Sequence, residues 1–308
     1  MRKKKINKTK LYLILFFGFL ITYMTCIEPN LMIEKHKKLY LPNWNQSLNG
    51  LKVGVVSDMH IGTNYVDLER VERITERINR QNPDIILILG DFDTLAIAET
   101  DYSEKDISDV IKKFKSKYGT VAILGNHDYY PSALIRGILQ DAGVKLLENS
   151  DCYITHNNTQ FRIVGFKDIW HYTIVPSEIV GEVKESTLVL SHNPDTFPKI
   201  PQEVSLTLSG HTHGGEIYLP IIGSPMVPSK YHERYRKGYI VENNKHLLVT
   251  SGVATLSHLR LCNPPEIIFL ELYQQTKSTK VSNTKRLTGK IKNLIPYYYK
   301  VFSFLTSK

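Results

Sequence analysis

Short apolar runs alternate with amphipathic segments through the first half of the chain. Residues 51–56, 85–89 and 120–124 have the length and the aliphatic content of buried strands. Between these runs, the spacing of apolar residues in 66–81 and 103–118 predicts two helices with one apolar stripe each. Strand, helix and strand in this order predict an α/β fold, whose functional site lies beyond the carboxyl ends of the strands.

The pattern changes after residue 150, where short strands predominate and predicted helices become rarer. The predicted strands of this half are residues 160–165, 187–190, 204–208, 247–250 and 267–270. No internal repeat of fixed period is found. We therefore predict one domain over residues 50–273, preceded by a Pro- and Asn-containing linker over residues 28–49.

An uncharged apolar run, residues 11–27, follows a basic segment, residues 1–10. Seventeen residues span about 25 Å as a helix, the lower limit for crossing a bilayer. Residues 23–27 do not form a small-x-small cleavage site, which favours a single transmembrane anchor over a cleaved signal peptide. Six basic residues before the run predict an extracytoplasmic domain. The alternative is a domain on the cytoplasmic face of the membrane, which requires that the apolar run dips into the membrane without crossing it.

The formal net charge of +9 is concentrated at the two ends of the chain. The first 27 residues carry +6 and the residues after Glu271 carry +8, so the segment between them carries −5. A mildly acidic body argues against a nucleic-acid partner. The basic, aromatic-containing tail, residues 274–308, suits contact with an anionic membrane surface. The sequence does not specify an oligomeric state.

Residue types that bind metals follow five of the apolar runs. The five sets are Asp58-x-His60, Gly90-Asp91, Gly125-Asn126-His127-Asp128, His192 and Gly210-His211-Thr212-His213. Each set alone is common in loops, but five such sets in one chain point to a shared site. Oxygen and imidazole ligands without thiolate suit a divalent ion such as Mn, Fe or Zn. The number of ligands suits two ions bridged by a carboxylate.

These sets resemble the calcineurin-like metallophosphoesterase superfamily over about residues 50–272. The Gly-His-Thr-His-Gly-Gly form is similar to a bacterial membrane-associated branch that includes enzymes cleaving UDP-2,3-diacylglucosamine. The resemblance implies a four-layer α/β/β/α sandwich of two mixed sheets and two divalent metal ions. It places one ion at Asp58, His60, Asp91 and His213. It places the second at Asp91, Asn126, His192 and His211, with Asp91 as the bridge.

The resemblance also implies hydrolysis of a phosphate ester or diphosphate by a metal-bound hydroxide, with His127 as the general acid. A lipid-linked ester is one candidate substrate. Relatives often place an acidic residue three positions after the bridging aspartate, where this chain has Thr94. Three alternatives stay open: Asp93 orients His127, Asp128 orients it, or the orientation is weaker. Arg260 is a candidate contact to the substrate phosphate. A non-catalytic metal-binding scaffold and a nuclease of the same fold are the alternative functions.

Overall fold

The computed structural model describes residues 8–93 and 96–276, and it contains helices and strands over most of that length. The α-helices are α1 (Lys8–Thr22), α2 (Leu68–Arg80), α3 (Glu104–Ile111), α4 (Ser132–Asp141) and α5 (Pro176–Val180). The strands are β1 (Ile33–Leu41), β2 (Leu51–Val56), β3 (Ile85–Ile88), β4 (Thr120–Ala122), β5 (Lys145–Leu146), β6 (Ser150–His156), β7 (Thr159–Gly165), β8 (Thr187–Leu190), β9 (Leu206–Ser209), β10 (Gly238–Glu242), β11 (Lys245–Val249) and β12 (Glu266–Gln274).

The strands form two six-stranded mixed sheets. The first has the order β1-β12-β2-β3-β4-β5, in which β2 to β5 are parallel and β12 is antiparallel to β2. The second has the order β10-β11-β9-β8-β7-β6, with parallel central strands and an antiparallel strand at each edge. Parallel neighbours end at the same edge of a sheet, so the loops after β2, β3 and β4 emerge together.

Alternation of side chains along the strands produces four layers. Val53 and Val55 of β2 point into a core that also contains Ile163 of β7 and Leu188 of β8, so the two sheets pack face to face. The opposite face of the first sheet packs on α2, α3 and α4. On the outer face of the second sheet, Val180 of α5 packs against Val164 and Val189. The predicted α/β/β/α sandwich of two mixed sheets is therefore confirmed.

The segment predicted as a linker, residues 28–49, is instead part of the first sheet. It contains β1, which pairs in parallel with β12 over nine residues, and its Trp44 and Leu48 lie in the core between the sheets. The prediction failed because β1 carries Glu34, Lys35, Lys37 and Lys38. Such charged residues are typical of an edge strand and weaken the apolar signal.

The N-terminal apolar run is helical. Helix α1 continues through a π-helical turn, Tyr23–Ile27, and a 3₁₀ turn, Glu28–Asn30. Lys8–Asn30 is the one helical segment within residues 8–93 and 96–276 that is long and apolar enough to cross a membrane. The predicted membrane-contacting tail lies outside the described residues, apart from residues 274–276.

Candidate metal centre

The first predicted ligand set converges in the structure. Asp58 and His60 follow β2, Asp91 follows β3, and His213 follows β9. All four side chains are buried, and one ligand atom from each lies within 4.8 Å of the others. His60 Nε2 lies 3.2 Å from His213 Nε2 and 3.6 Å from Asp91 Oδ2. These four side chains can hold one divalent ion.

The second predicted set converges beside the first and shares Asp91 with it. Ligand atoms of Asp91, His192 and His211 lie within 4.8 Å of one another. Asn126 Oδ1 lies 3.1 Å from His192 Nε2 and 2.7 Å from His211 Nδ1. His192 Nδ1 lies 2.7 Å from the carbonyl oxygen of Leu89, an outer hydrogen bond typical of metal-binding histidines. The position of Asp91 between the two sets suits a bridging ligand.

The chemistry of this cluster fits a pair of cations. The carboxylate atom Asp58 Oδ2 is buried and accepts no hydrogen bond, and the buried Asp91 Oδ2 lies 3.0 Å from His192 Nε2 and 3.6 Å from His60 Nε2. A buried acceptor without a donor is costly, and a carboxylate without a compensating charge more so. Carboxylate, imidazole and amide oxygen ligands suit Mn, Fe or Zn. The arrangement supports metal binding but does not select among these metals.

The pKa values of the histidines reflect the charge of Asp91. Burial alone would lower the pKa of His192, but the Asp91 carboxylate beside it raises that pKa to about 10. Burial, together with the neighbouring His192, lowers the pKa of His211 to about 3. The His192 ion pair holds the pKa of Asp91 well below its usual range, despite burial. Asp91 thus remains an anion that attracts positive charge.

The ligand backbone is held in a rarely occupied conformation. Five ligands have a positive φ: Asp58 (54°), His60 (43°), Asp91 (56°), His211 (69°) and His213 (48°). Residues other than glycine seldom adopt this left-handed region, and such strain concentrates at functional sites where surrounding structure imposes it. The strained turns aim successive side chains at a common point, which regular strands could not do.

Two glycines permit the loops to cross closely. A Cβ atom at Gly125 would lie 2.1 Å from Asp91 Oδ1, and one at Gly210 would lie 2.5 Å from Asp58 Oδ2. Any side chain at either position would displace a ligand carboxylate. The glycines that precede Asn126 and His211 are therefore required for the convergence of the two ligand sets.

His127 lies at the edge of this cluster. Its backbone N–H donates to Asp91 Oδ1 at 2.9 Å, and its ring meets the His60 ring edge to face, with 5.1 Å between centroids. The side chain is half-buried, whereas the predicted ligands are buried. This partly exposed position beside His60 and Asp91 is compatible with the predicted role as general acid.

The two candidate orienting carboxylates make other contacts. Asp128 is fully buried and accepts hydrogen bonds from the backbone N–H groups of Asp91, Phe92, Asp93 and Gly125. Asp93 Oδ1 accepts from the backbone N–H of Ile97 at 3.1 Å. None of these contacts involves the His127 ring. Asp128 therefore supports the loop that carries Asp91, which corrects its predicted role.

Arg260 is completely buried, and its guanidinium bonds to the protein itself. Its guanidinium donates to Thr255 Oγ1 and to the carbonyl oxygens of His213, Ser251, Ala254 and Asn263. A guanidinium so engaged has no group left for a phosphate. The predicted substrate contact is corrected to a structural one, which ties loop 251–263 to ligand His213.

Glu216 lies close to the predicted ligands, and its carboxylate accepts hydrogen bonds from the backbone of a loop. Its oxygens accept from the backbone N–H groups of Leu256 at 2.5 Å and Ser257 at 2.8 Å. Burial opposes ionisation, but the nearby His213 and these donors lower the pKa of Glu216 overall. The negative charge is thus stabilised within the protein.

One further residue was not assigned from the sequence. Asp168, which follows β7, is buried, and its Oδ2 atom accepts no hydrogen bond. Its signal was present, since it follows the apolar strand at residues 159–165 as the metal ligands follow theirs. In the loop after it, His171 contacts Tyr129 and Tyr130, which lie between β4 and α4. We define the aromatic wall as Tyr129, Tyr130, Trp170, His171 and Tyr172. The Trp170 ring meets the His211 ring edge to face at 4.7 Å and is 57% exposed.

Comparison with known proteins identifies the family. Residues 51–215 match the family model of calcineurin-like phosphoesterases. The chain is 33% identical to phosphodiesterase YaeI of Escherichia coli (strain K12) over 72% of this chain and 82% of that protein. It is 25% identical to UDP-2,3-diacylglucosamine pyrophosphatase LpxG of Chlamydia trachomatis serovar D over 80% of this chain and 92% of that protein.

Solved structures show a more distant similarity. A dimetal phosphatase from Danio rerio is 13% identical, with a TM-score of 0.42, over 69% of this chain and 91% of that chain. The sequence match to the family covers the ends of β2, β3, β4, β8 and β9, where both ligand sets lie. This chain belongs to the calcineurin-like phosphoesterase family and is a hydrolase that acts on phosphoester bonds.

Proposed function

We propose that this protein is a membrane-anchored, two-metal hydrolase of a phosphodiester or a diphosphate whose substrate is lipid-linked. The observation that carries the proposal is the pair of buried ligand sets that share Asp91. Bound divalent ions would lower the pKa of a water molecule so that it can act as the nucleophile. They would also supply positive charge that stabilises the phosphoryl oxygens. The protein's own part is to fix the ligands, orient the phosphate and deliver a proton.

His127 is the proposed proton donor. Its ring contacts the ring of His60 at the edge of the ligand sets, and its backbone N–H donates to Asp91 Oδ1. An imidazolium at this edge can protonate the leaving oxygen as the bond to phosphorus breaks. The side chain is half-buried, and its exposed part can contact a leaving group.

The proposed substrate class rests on two observations. The relatives described above are named a phosphodiesterase and a UDP-2,3-diacylglucosamine pyrophosphatase. In this chain, Trp170 of the aromatic wall presents an exposed ring beside His211. Aromatic rings stack on nucleobases and sugar faces, so a diphosphate that carries a ring next to the phosphates suits this wall.

Hydrolysis by the full-length chain in detergent micelles tests the proposal. An aryl phosphomonoester, an aryl phosphodiester and UDP-2,3-diacylglucosamine are supplied with Mn²⁺, Zn²⁺ or Fe²⁺. Turnover that requires metal and is lost in Asp91→Asn is expected, most rapidly for the diester or the diphosphate. Asp141→Asn, at an exposed position at the end of α4, is the matched control. Folded protein without metal-dependent turnover of any substrate would refute the proposal and favour a metal-binding scaffold.

The leaving group distinguishes a proton donor from a packing residue at position 127. His127→Ala is expected to reduce kcat/KM by about 10²–10⁴-fold for alkyl esters, whose leaving oxygens need a proton. The loss for nitrophenyl esters should be much smaller, because nitrophenolate leaves without protonation. His36→Ala, at an exposed histidine on β1, is the control. An equal loss of kcat/KM for both ester classes would show that His127 is not the general acid.

The side of the membrane is a separate element of the proposal. The basic segment before α1 favours an extracytoplasmic domain, whereas a UDP-linked lipid precursor is made in the cytoplasm. Protease added to intact cells and to inverted vesicles distinguishes the two. Digestion only in inverted vesicles would place the domain in the cytoplasm and overturn the orientation predicted from charge.

A further inference from the structure

The segment that follows the metal ligands of β9 exposes an unusual amount of apolar surface. Residues 217–228 contain no charged side chain. Within them, Ile221, Ile222 and Met226 are 68%, 78% and 78% exposed. Clustered exposed apolar side chains on a soluble domain mark an interaction site more often than singly scattered ones do. We call these three residues the apolar tip.

The apolar tip is held out by an ordered base. The N–H of Leu219 donates to the carbonyl of Gly223 at 3.0 Å, and the N–H of Gly223 donates back to Leu219 at 2.8 Å. Ser224 N–H donates to Glu233 Oε1, and Glu233 is paired with Arg236 at 3.0 Å. These bonds fix the turn while the apolar tip projects from it, so the exposure belongs to a defined loop.

The base of this loop is continuous with the end of the apolar N-terminal helix. Ile217 bridges to Leu261, and the N–H of Tyr218 donates to the Leu261 carbonyl at 2.8 Å. Neighbouring residues of this segment contact the helix end. The N–H of Arg260 donates to the carbonyl of Met24 at 3.0 Å, and that of Cys262 donates to Glu28 Oε2 at 3.0 Å. The loop and the helix therefore leave the domain from one shared segment.

The loop is also adjacent to the metal centre. A Cβ atom at Gly215 would lie 2.6 Å from the Ser224 side chain and 2.9 Å from the carbonyl oxygen of Met226. Gly215 lies two residues after ligand His213. The loop that carries the apolar tip thus packs against the residues that follow His213. Exposed Lys230 follows the uncharged segment, as is common for loops that rest in a lipid headgroup layer.

We propose that the apolar tip inserts into the bilayer surface beside the N-terminal helix and forms a second membrane contact. This contact orients the domain so that its metal centre faces the lipid headgroups. The proposal rests on the proposed membrane anchoring, and it specifies the substrate class as a phosphate at a bilayer surface. A bilayer is favoured as the partner because the apolar tip is uncharged and the base of its loop is bonded, through residues 260–262, to the end of the proposed membrane helix.

Quenching by brominated lipids tests the contact without reference to activity. Full-length Ile222→Trp and Tyr153→Trp are reconstituted into phosphatidylcholine–phosphatidylglycerol vesicles with or without bromine on the acyl chains. Tyr153 is 51% exposed on β6, the edge strand of the second sheet farthest from β10. Emission gained over the unsubstituted chain is expected to be quenched strongly for Ile222→Trp and little for Tyr153→Trp. Equal quenching at both positions, or none at position 222, would overturn the proposal, as would a tip covered by a protein partner.

A charge substitution gives the functional counterpart. The double variant Ile221→Glu, Ile222→Glu is expected to reduce turnover of a vesicle-embedded phospholipid-linked diphosphate about tenfold or more, because carboxylates resist burial at the interface. Hydrolysis of a soluble aryl diester by the same vesicles should be unchanged. Equal turnover of both substrates by variant and parent would refute the membrane contact while leaving the proposed hydrolase intact. If the parent itself does not hydrolyse the aryl diester, the result counts against the proposed function instead.

Discussion

Substitution of Asp128 by asparagine should separate support of the metal loop from catalysis. The carboxylate is fully buried, and its two oxygens share four backbone donors. Oδ2 accepts from Asp91 and Gly125 at 2.8 Å each, and Oδ1 accepts from Phe92 at 2.8 Å and Asp93 at 3.1 Å. Asparagine has nearly the same shape but replaces one oxygen with an NH₂ group. Either orientation of the amide leaves two backbone N–H groups facing another donor.

The magnitude follows from these two orphaned donors. An unsatisfied buried donor costs about 1–3 kcal/mol, so the free energy of unfolding should fall by about 2–6 kcal/mol. At about 2–4 °C per kcal/mol for a domain of this size, the melting temperature should fall by about 5–20 °C. Loosening of the loop that carries Asp91 should also weaken metal affinity by about 10–100-fold, as for other groups that orient metal ligands.

Thermal unfolding of the full-length chain in micelles, with and without Mn²⁺, measures both effects. Asp141→Asn is the matched control, since that aspartate is exposed at the end of α4. A melting temperature within 1–2 °C of the parent, together with unchanged metal affinity, would refute the assignment of Asp128 as the support of the loop. Stability unchanged but alkyl-ester turnover reduced would restore its predicted role beside His127.

Three other substitutions test individual contacts. Trp170→Ala should raise KM for UDP-2,3-diacylglucosamine about tenfold, since base stacking contributes about 1–3 kcal/mol; an unchanged KM in steady-state assays would remove the ring from substrate binding. Arg260→Lys should lower the free energy of unfolding by about 2–4 kcal/mol, because buried carbonyls lose their donors; a raised KM without a change in melting temperature would instead support the substrate contact predicted from the sequence. Glu28→Gln should destabilise the domain by about 1–3 kcal/mol, because its carboxylate accepts the N–H groups of Cys262 and Asn263; thermal unfolding equal to the parent would show that this junction is not a fixed one.

The candidate metal ligands follow a local pattern in the sequence, and the structure brings them together. Asp58, Asp91, Asn126, His192 and His211 each come within a few residues of the end of a buried parallel strand. The carboxyl ends of β2, β3 and β4 meet at one edge of the first sheet, and those of β8 and β9 meet at one edge of the second. The local pattern thus predicted proximity within each group, and the packing of the two sheets brings the groups together. Asp168 carried the same signal but lay outside the recognised motifs, and it was missed.

The roles of Asp128, Arg260 and residues 28–49 could not be read from the sequence. A charged side chain offers the same donors or acceptors to a substrate as to a backbone loop, and the partner is decided by which distant segments approach it. Arg260 meets carbonyls spread from residue 213 to residue 263, and Asp128 meets a loop 35 to 37 residues away. The polar strand β1 became recognisable only through its pairing with β12, more than 230 residues later.

The sequence by itself determined the α/β layering, the metal-binding residue types and the apolar N-terminal helix, because strand runs, ligand spacing and helix length are local properties. The tertiary structure alone decided how the loop that carries the apolar tip is bonded, through residues 260–262, to the helix end. It also decided how strained turns and two glycines bring Asp58 and Asp91 to neighbouring ligand sets. Those arrangements depend on contacts between segments that are far apart in the chain, and a local sequence pattern does not specify such contacts.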